Sequence, residues 1–381
     1  MLNNQKHLFQ LPEEIHYMNN AFMSPFMKQV EDAGILAIQK RRNPSVLKSS
    51  DYFTITEPLR HYFGNIIHSD PKNIAVIPSA AYGLQNAVSN LPIDTGSHAL
   101  SVTGEFPSDL YTIQKWCNKH SKKLNIISPP QEFEDRGKKW NANIIEAIND
   151  DTAVVIMSTI HWQDGTQFNL KAIGQKCKEH QAIFIVDGTQ SVGVLPIDVH
   201  ECQIDALICA GYKWLLGPYS LGLAYYSDFF DTGIPMEESW MNKINAQNFA
   251  QLTADDEYAI GAQRYNMGES SQFIQAPMLA QSLGQIVEWN PVHIQEYCRQ
   301  LMQPLIPVIK SKGLWIEDES YRTNHLFGIL DPEQNNSEQI FEGFQKNKIF
   351  TSLRGRVVRI SCYLYNTEQD IEILCKTISN L

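Results

Sequence analysis

A lysine set among aromatic and small residues is the first sign of chemistry in this chain. Lys213 stands in Gly211-Tyr212-Lys213-Trp214, and Leu215-Leu216-Gly217-Pro218 follows. Burial beside Tyr212 and Trp214 lowers an amine's pKa and frees its lone pair, which suits condensation with an aldehyde. An arbitrary lysine is far more often a solvated loop residue. Here the apolar runs 205–210 and 221–226 on either side weigh against that. Upstream, Ile183-Phe184-Ile185-Val186 is a short apolar strand ending in Asp187. Such an acid commonly caps the turn that follows. It would equally bind a protonated ring nitrogen and keep a flat heterocycle electron-poor. An acid ending one buried strand and a lysine just past another belong on the same rim of a sheet.

Further groups collect at other strand ends. Pro78-Ser79-Ala80-Ala81-Tyr82-Gly83 opens a helix after an apolar run. Its free amides and positive dipole end suit a phosphate, although a plain helix capped by Ser79 reads equally well. Phe106, in Glu105-Phe106-Pro107-Ser108-Asp109, is either a wall for a flat ring or a core side chain. His161 and Trp162 follow the run 154–157, and Gln190 lies three residues beyond Asp187. Arg359, between Val358 and Ile360, needs a partner, either a substrate carboxylate or an internal salt bridge. Ligands of open α/β sheets bind at the carboxyl ends of strands. An amine, an acid, a phosphate turn and a flat wall on that rim point to pyridoxal 5'-phosphate.

The elements that must position these groups alternate regularly. Apolar runs at 74–77, 99–102, 124–127, 154–157, 183–186, 206–208 and 221–225 predict seven strands. Amphipathic stretches at 80–90, 108–119, 140–149 and 171–180 predict helices between them, after two more at 28–42 and 56–67. The fold class expected is α/β, with a mainly parallel seven-stranded sheet covered on both faces. Helical stretches at 277–289, 292–310 and 368–378, with strands at 325–329 and 357–360, predict a smaller α+β C-terminal domain. The division expected is an N-terminal arm at 1–16, a large domain at 17–260 and a small domain at 261–381.

The chain has 381 residues, more than one core usually serves, and a net charge of −11, which disfavours nucleic acid and anionic membranes as partners. Seven cysteines without a C-x-x-C pair suit reduced thiols in a cytoplasmic protein. No run has the length of a signal peptide or membrane span, and no metal site is expected.

Taken together, Tyr17-Met18-Asn19-Asn20-Ala21, Asp187-Gly188-Thr189-Gln190-Ser191, Tyr212-Lys213 with Gly217-Pro218, Arg359-Ile360-Ser361 and Tyr365-Asn366-Thr367 are similar to the class V aminotransferase family. These fold-type-I pyridoxal phosphate enzymes include cysteine desulfurases, kynureninase, selenocysteine lyase and isopenicillin N epimerase. The resemblance implies that Lys213 is the Schiff-base lysine and proton shuttle, Asp187 the pyridine-nitrogen partner and Gln190 the neighbour of the phenolate oxygen. It implies that Phe106 stacks on the ring, with Trp162, Tyr212, Ser79, Ala80 and Ala81 around the cofactor. Arg359 matches the arginine for the substrate α-carboxylate, and Asn20 and His161 are expected beside it. The family is generally dimeric, so Ser270 and Ser271 of Gly268-Glu269-Ser270-Ser271 are expected to reach a neighbour's phosphate.

There are departures. Ala80 and Ala81 replace the paired threonines of the desulfurase phosphate loop, and Ala210 replaces a serine three residues before the lysine. Residues 350–355 contain no cysteine where desulfurases carry their sulfur acceptor, which disfavours persulfide chemistry. The leading reading is an aminotransferase or C–S/C–N lyase acting on a small L-amino acid. Epimerisation of the isopenicillin N epimerase type comes next. A cysteine desulfurase, a sugar-type aminotransferase and a non-catalytic regulator complete the alternatives.

Overall fold

The computed structural model describes residues 2–252, 257–333 and 336–380. Seven strands form the central sheet: β1 (Ile74–Ile77), β2 (His98–Val102), β3 (Lys123–Ile127), β4 (Thr152–Ser158), β5 (Ile183–Asp187), β6 (Ala206–Ala210) and β7 (Gly222–Tyr226). Only β3, at an edge, is largely exposed. Their order is β1-β7-β6-β5-β4-β2-β3, and β7 alone runs antiparallel to its neighbours. The seven strands read from the sequence are all present, and the fold is α/β. The reversal at β7 has a local cause. No helix lies between β6 and β7, and a parallel return needs a crossover of a dozen residues or more. The loop 211–221 instead folds back on itself, with Gly211 N–H donating to Leu221 O at 2.9 Å and Gly217 N–H to Gly211 O at 2.8 Å.

Alternation of side chains splits the sheet's apolar residues between two cores. Ala75, Ile77, Ala99, Val154, Ile156, Ile185 and Ile208 pack under α3 (Ala80–Ser89) and α4 (Pro107–Lys119), through Leu84, Val88, Ile113 and Trp116. Val76, Val102, Val155, Met157, Phe184, Val186 and Leu207 face the larger core. There they meet residues of α2 (Glu57–Ile67), α5 (Arg136–Ala147) and α6 (Leu170–Glu179), among them Phe63, Trp140 and Ile173. Ahead of these, α1 (Lys28–Lys40) packs on α7 (Gln275–Trp289). The expected helix 140–149 begins earlier, at Arg136, after Asp135 in a left-handed conformation.

In the C-terminal part, α8 (Pro291–Met302) and α9 (Leu305–Ser311) are separate helices. Pro304, which cannot continue the hydrogen-bond ladder, stands between them. A three-stranded antiparallel sheet runs β9-β10-β8, where β8 is Leu326–Ile329, β9 Ser352–Arg354 and β10 Val357–Ser361. Helices α10 (Ser337–Lys346) and α11 (Glu368–Ser379) complete it. The N-terminal segment joins this part: His16 and Tyr17 pair in parallel with Ile349 and Phe350, and Asn19 bridges Ser361. Among the described residues no helix is long and apolar enough to cross a membrane.

Candidate active site

The carboxyl ends of the parallel strands and the loop after β6 enclose a cavity of about 240 Å³. Its lining brings together Ser79, Ala80, Ala81, Phe106, Trp162, Asp187, Gln190, Tyr212 and Lys213. The register explains the grouping. Ser158, last in β4, is level with Asp187, last in β5, and Asp187 is level with Ile208 of β6, just ahead of the lysine loop.

Lys213 is 8% exposed. Its Nζ lies 5.8 Å from the Phe106 ring centroid and 5.6 Å from that of Tyr212. Burial, and then the nearby Arg359, bring the amine's pKa down to about 8. The N-terminal segment braces its backbone: Asn20 Nδ2 donates to Lys213 O at 3.2 Å, and Ser24 N–H to Tyr212 O at 3.1 Å. Asp187 Oδ1 accepts the Thr189 N–H at 2.8 Å, and burial pushes the carboxyl's pKa up. At the start of α3, Ser79 Oγ accepts the Tyr82 N–H at 3.2 Å. The amides of Ala80 and Ala81 are left as first-turn donors free for an anion. A buried amine, a buried acid and free helix-start amides around one cavity fit an aldehyde, a protonated ring nitrogen and a phosphate.

The other residues singled out in the sequence make contacts of their own. Gln190 lines the cavity, but its Nε2 donates to Ala21 O at 3.1 Å and its Oε1 accepts from Trp214 Nε1 at 2.9 Å. Asn20 is fully buried behind the lysine loop, its Oδ1 taking the Tyr365 hydroxyl at 3.1 Å. His161 is turned away from the cavity, with Nε2 3.2 Å from Gly104 O and Nδ1 2.9 Å from Asp164 Oδ1. The Asp164 approach is an ion-pair contact, since Nδ1 is buried without a partner in hydrogen-bond geometry. Burial alone would lower the imidazole's pKa, but Asp164 raises it. Gly104 accepts from both His161 and Trp162, and its φ of +72° favours glycine. Arg359 is 1% exposed and donates from Nη1 to Trp162 O at 2.8 Å, while its Nε is buried without a partner. Ser270 and Ser271 are buried outside this cavity, and Ser271 Oγ donates to Tyr52 O at 2.8 Å.

Other groups went unread in the sequence. Glu105 ties two strand ends together, accepting the Ser158 N–H at 2.6 Å, the Ser158 hydroxyl, and the Phe106 N–H at 2.8 Å. Asp109, in the first turn of α4, is fully buried with neither oxygen hydrogen-bonded. Its pKa is driven well up, by burial first and then by Asp187 and Glu105. Arg136 reaches Asp164 at 2.9 Å and Glu317 at 3.7 Å, linking the loop after β4 to the C-terminal part. Only the His161-Asp164 spacing of three residues hints at this cluster. Arg136→Met is expected to destabilise the fold by about 3 kcal/mol, because it leaves buried carboxylates without their cation. Urea denaturation checks this; a loss under about 1 kcal/mol would show that the cluster is solvent-screened.

A family model for aminotransferase class-V matches residues 41–310. The chain belongs to the class-V aminotransferase family. Members of that family are enzymes that depend on pyridoxal 5'-phosphate. An uncharacterized aminotransferase of Bacillus subtilis (strain 168), YcbU, is 23% identical over 332 residues, covering 85% of this chain and 84% of that protein. The cysteine desulfurase IscS of Shewanella woodyi is 28% identical over 170 residues, 44% of this chain and 40% of that protein. Among solved structures, a mutant of C-DES with glycine covalently linked to its PLP cofactor superposes with a TM-score of 0.84 at 17% identity, covering 99% of both chains. The apo cysteine desulfurase of Thermococcus onnurineus NA1 gives 0.82 at 18% identity, over 100% of this chain and 98% of that one. The class-V fold is thus shared over the whole length, including the C-terminal part.

Proposed function

We propose that this class-V enzyme activates the Cα of a small L-amino acid as an aminotransferase or a C–S/C–N lyase, with Lys213 as its reactive amine. The observation that carries the reading is the buried Lys213 amine facing the same cavity as Asp187 and the open first turn of α3. Lys213 would hold the cofactor's aldehyde end, Asp187 its ring nitrogen, and Ser79 with the Ala80 and Ala81 amides its phosphate. Phe106 and Trp162 would wall the ring. When bound, the cofactor supplies an electron sink for the negative charge that develops at Cα. Lys213, whose lowered pKa leaves it a larger neutral fraction at neutral pH than an ordinary lysine has, takes the Cα proton and returns it, acting as general base and acid. Arg359 orients the α-carboxylate.

Two cysteines near the site, Cys209 and Cys362, are fully buried beside backbone carbonyls. Burial drives the Cys209 thiol well above its usual range, so it is a poor sulfur acceptor. That supports elimination or amino transfer over persulfide formation. YcbU, matched over most of its length, carries the name aminotransferase, and C-DES, the neighbour in fold named above, is described as a cystine C–S lyase whose reaction product is cysteine persulfide. Neither relative favours epimerisation. A screen of L- and D-amino acids with product analysis tests the reading. A keto acid with aminated cofactor is the expected product of amino transfer; a keto acid with released ammonia or sulfide is that of elimination. Racemised substrate as the sole product would contradict both.

The division into residues 17–260 and 261–381, with the cofactor groups mostly in the first and Arg359 in the second, belongs to the same proposal. So does a cytoplasmic setting, supported by seven unpaired cysteines. We also infer a homodimer. Ile35, Leu36 and Ile38 of α1 are exposed, Leu36 at 64%, beside an apolar groove between α1, α2 and α7. Exposed Tyr52, Trp240 and Phe249 cluster close by, and Tyr52 O meets Ser271. A second copy on this face would bring Ser270 and Ser271 towards its phosphate turn. Sedimentation is expected to give a dimer, and Leu36→Glu to raise its dissociation constant at least about tenfold. A monomeric wild type would contradict the inference.

A further inference from the structure

Arg359 has a neighbour of the same charge. The β9–β10 register sets Ser352 opposite Arg359, Leu353 opposite Val358 and Arg354 opposite Val357. Faces alternate along a strand, so Arg354 shares a face with Ser352 and with Arg359. The two arginines are diagonal neighbours, roughly 7–8 Å apart at the backbone. Both adjoin Trp162, a wall of the cavity. Arg359 Nη1 donates to its carbonyl at 2.8 Å, and the Arg354 guanidinium carbon lies 5.8 Å from its ring centroid.

Neither arginine has an acid to answer it. Among the described residues no carboxylate forms an ion pair with either, and the Nε of each is buried without an acceptor. Arg354 and Arg359 repel each other: burial first, and then Arg354, bring the Arg359 pKa down to about 9. Buried donors without acceptors and adjacent like charges both cost free energy. A substrate α-carboxylate satisfies one guanidinium and leaves the other. Arg354 is half-buried where Arg359 is 1% exposed. That order suits a deep α-carboxylate and a second anion nearer solvent.

We propose that the substrate carries a second carboxylate on its side chain, which Arg354 binds through a charge-assisted hydrogen bond while Arg359 holds the α-carboxylate. The acidic amino acids are the simplest members of this class. The proposal rests on the amino-acid reading given above.

Glutarate and butyrate test it without turnover, because neither carries an amine that reacts. In titration calorimetry of the cofactor-loaded protein, glutarate is expected to bind about 10- to 100-fold more tightly than butyrate. Arg354→Gln is expected to bring glutarate down to the level of butyrate and to leave butyrate within about twofold, the additivity expected of separate contacts. Arg354→Lys should keep part of the preference, and Arg359→Gln should weaken both acids. A glutarate preference that survives Arg354→Gln, or is absent from the wild type, would overturn the proposal. Failure to load cofactor on Lys213 would refute the amino-acid reading, and this inference with it. A loaded protein without glutarate preference refutes only the second carboxylate.

Discussion

Lys213→Ala is expected to lower turnover on the order of 10³-fold or more, the scale of a lost proton-transfer group before any loss of covalent attachment is added. No other residue of the cavity lining offers an amine, so nothing nearby can take over. The variant should remain folded, because alanine removes a desolvated amine from among aromatic rings rather than one partner of an ion pair. The wild-type amine also has a testable pH dependence. Its pKa is lowered from 10.5 to about 8, chiefly by burial. The neutral, nucleophilic form therefore grows as pH rises through about 8. Capture of pyridoxal phosphate by the apo-protein should accelerate over that window and level off above it. Stopped-flow absorbance at a series of pH values measures this. Acceleration that continues to the ordinary lysine pKa would show a solvated amine.

Asp187→Ala is the second large effect expected. A carboxylate beside a protonated ring nitrogen holds the proton that makes the ring an electron sink, and its removal should cost about 10²–10³-fold in kcat. Asp187→Asn should fall nearly as far, since an amide carries no charge to hold that proton. Neither substitution should lower stability much without cofactor, because burial already raises the carboxyl's pKa. The sign follows from linkage. A raised folded pKa means that the folded state favours the protonated acid, so this group destabilises the fold progressively as pH rises above the unfolded value. Steady-state kinetics paired with urea denaturation separates the two effects. A variant with full kcat would remove Asp187 from the chemistry.

The extent to which the site could be read from the chain differs residue by residue. Lys213 and Asp187 were legible because each sits at the end of an apolar run, and strand ends share a rim in any mainly parallel sheet. The seven strands were legible for the same reason. The direction of β7 depends on a loop too short for a crossover, which composition does not reveal. For Asn20 and His161 the sequence placed the segment, but segment position does not decide side-chain direction. Asn20 faces the backbone of the lysine loop, and His161 faces Asp164. The Arg136–Asp164–Glu317 cluster joins segments far apart in sequence and left almost no local pattern. Arg354 stood in view beside Arg359, but its importance appears only once the β9–β10 register puts both on one face.

The central claim is that the Lys213 amine holds the cofactor. Borohydride reduction of the wild-type protein loaded with pyridoxal phosphate, followed by proteolysis and mass spectrometry, tests it most directly. The account predicts one modified peptide, containing Lys213. Stoichiometric modification of any other lysine, with Lys213 unmodified, would contradict it.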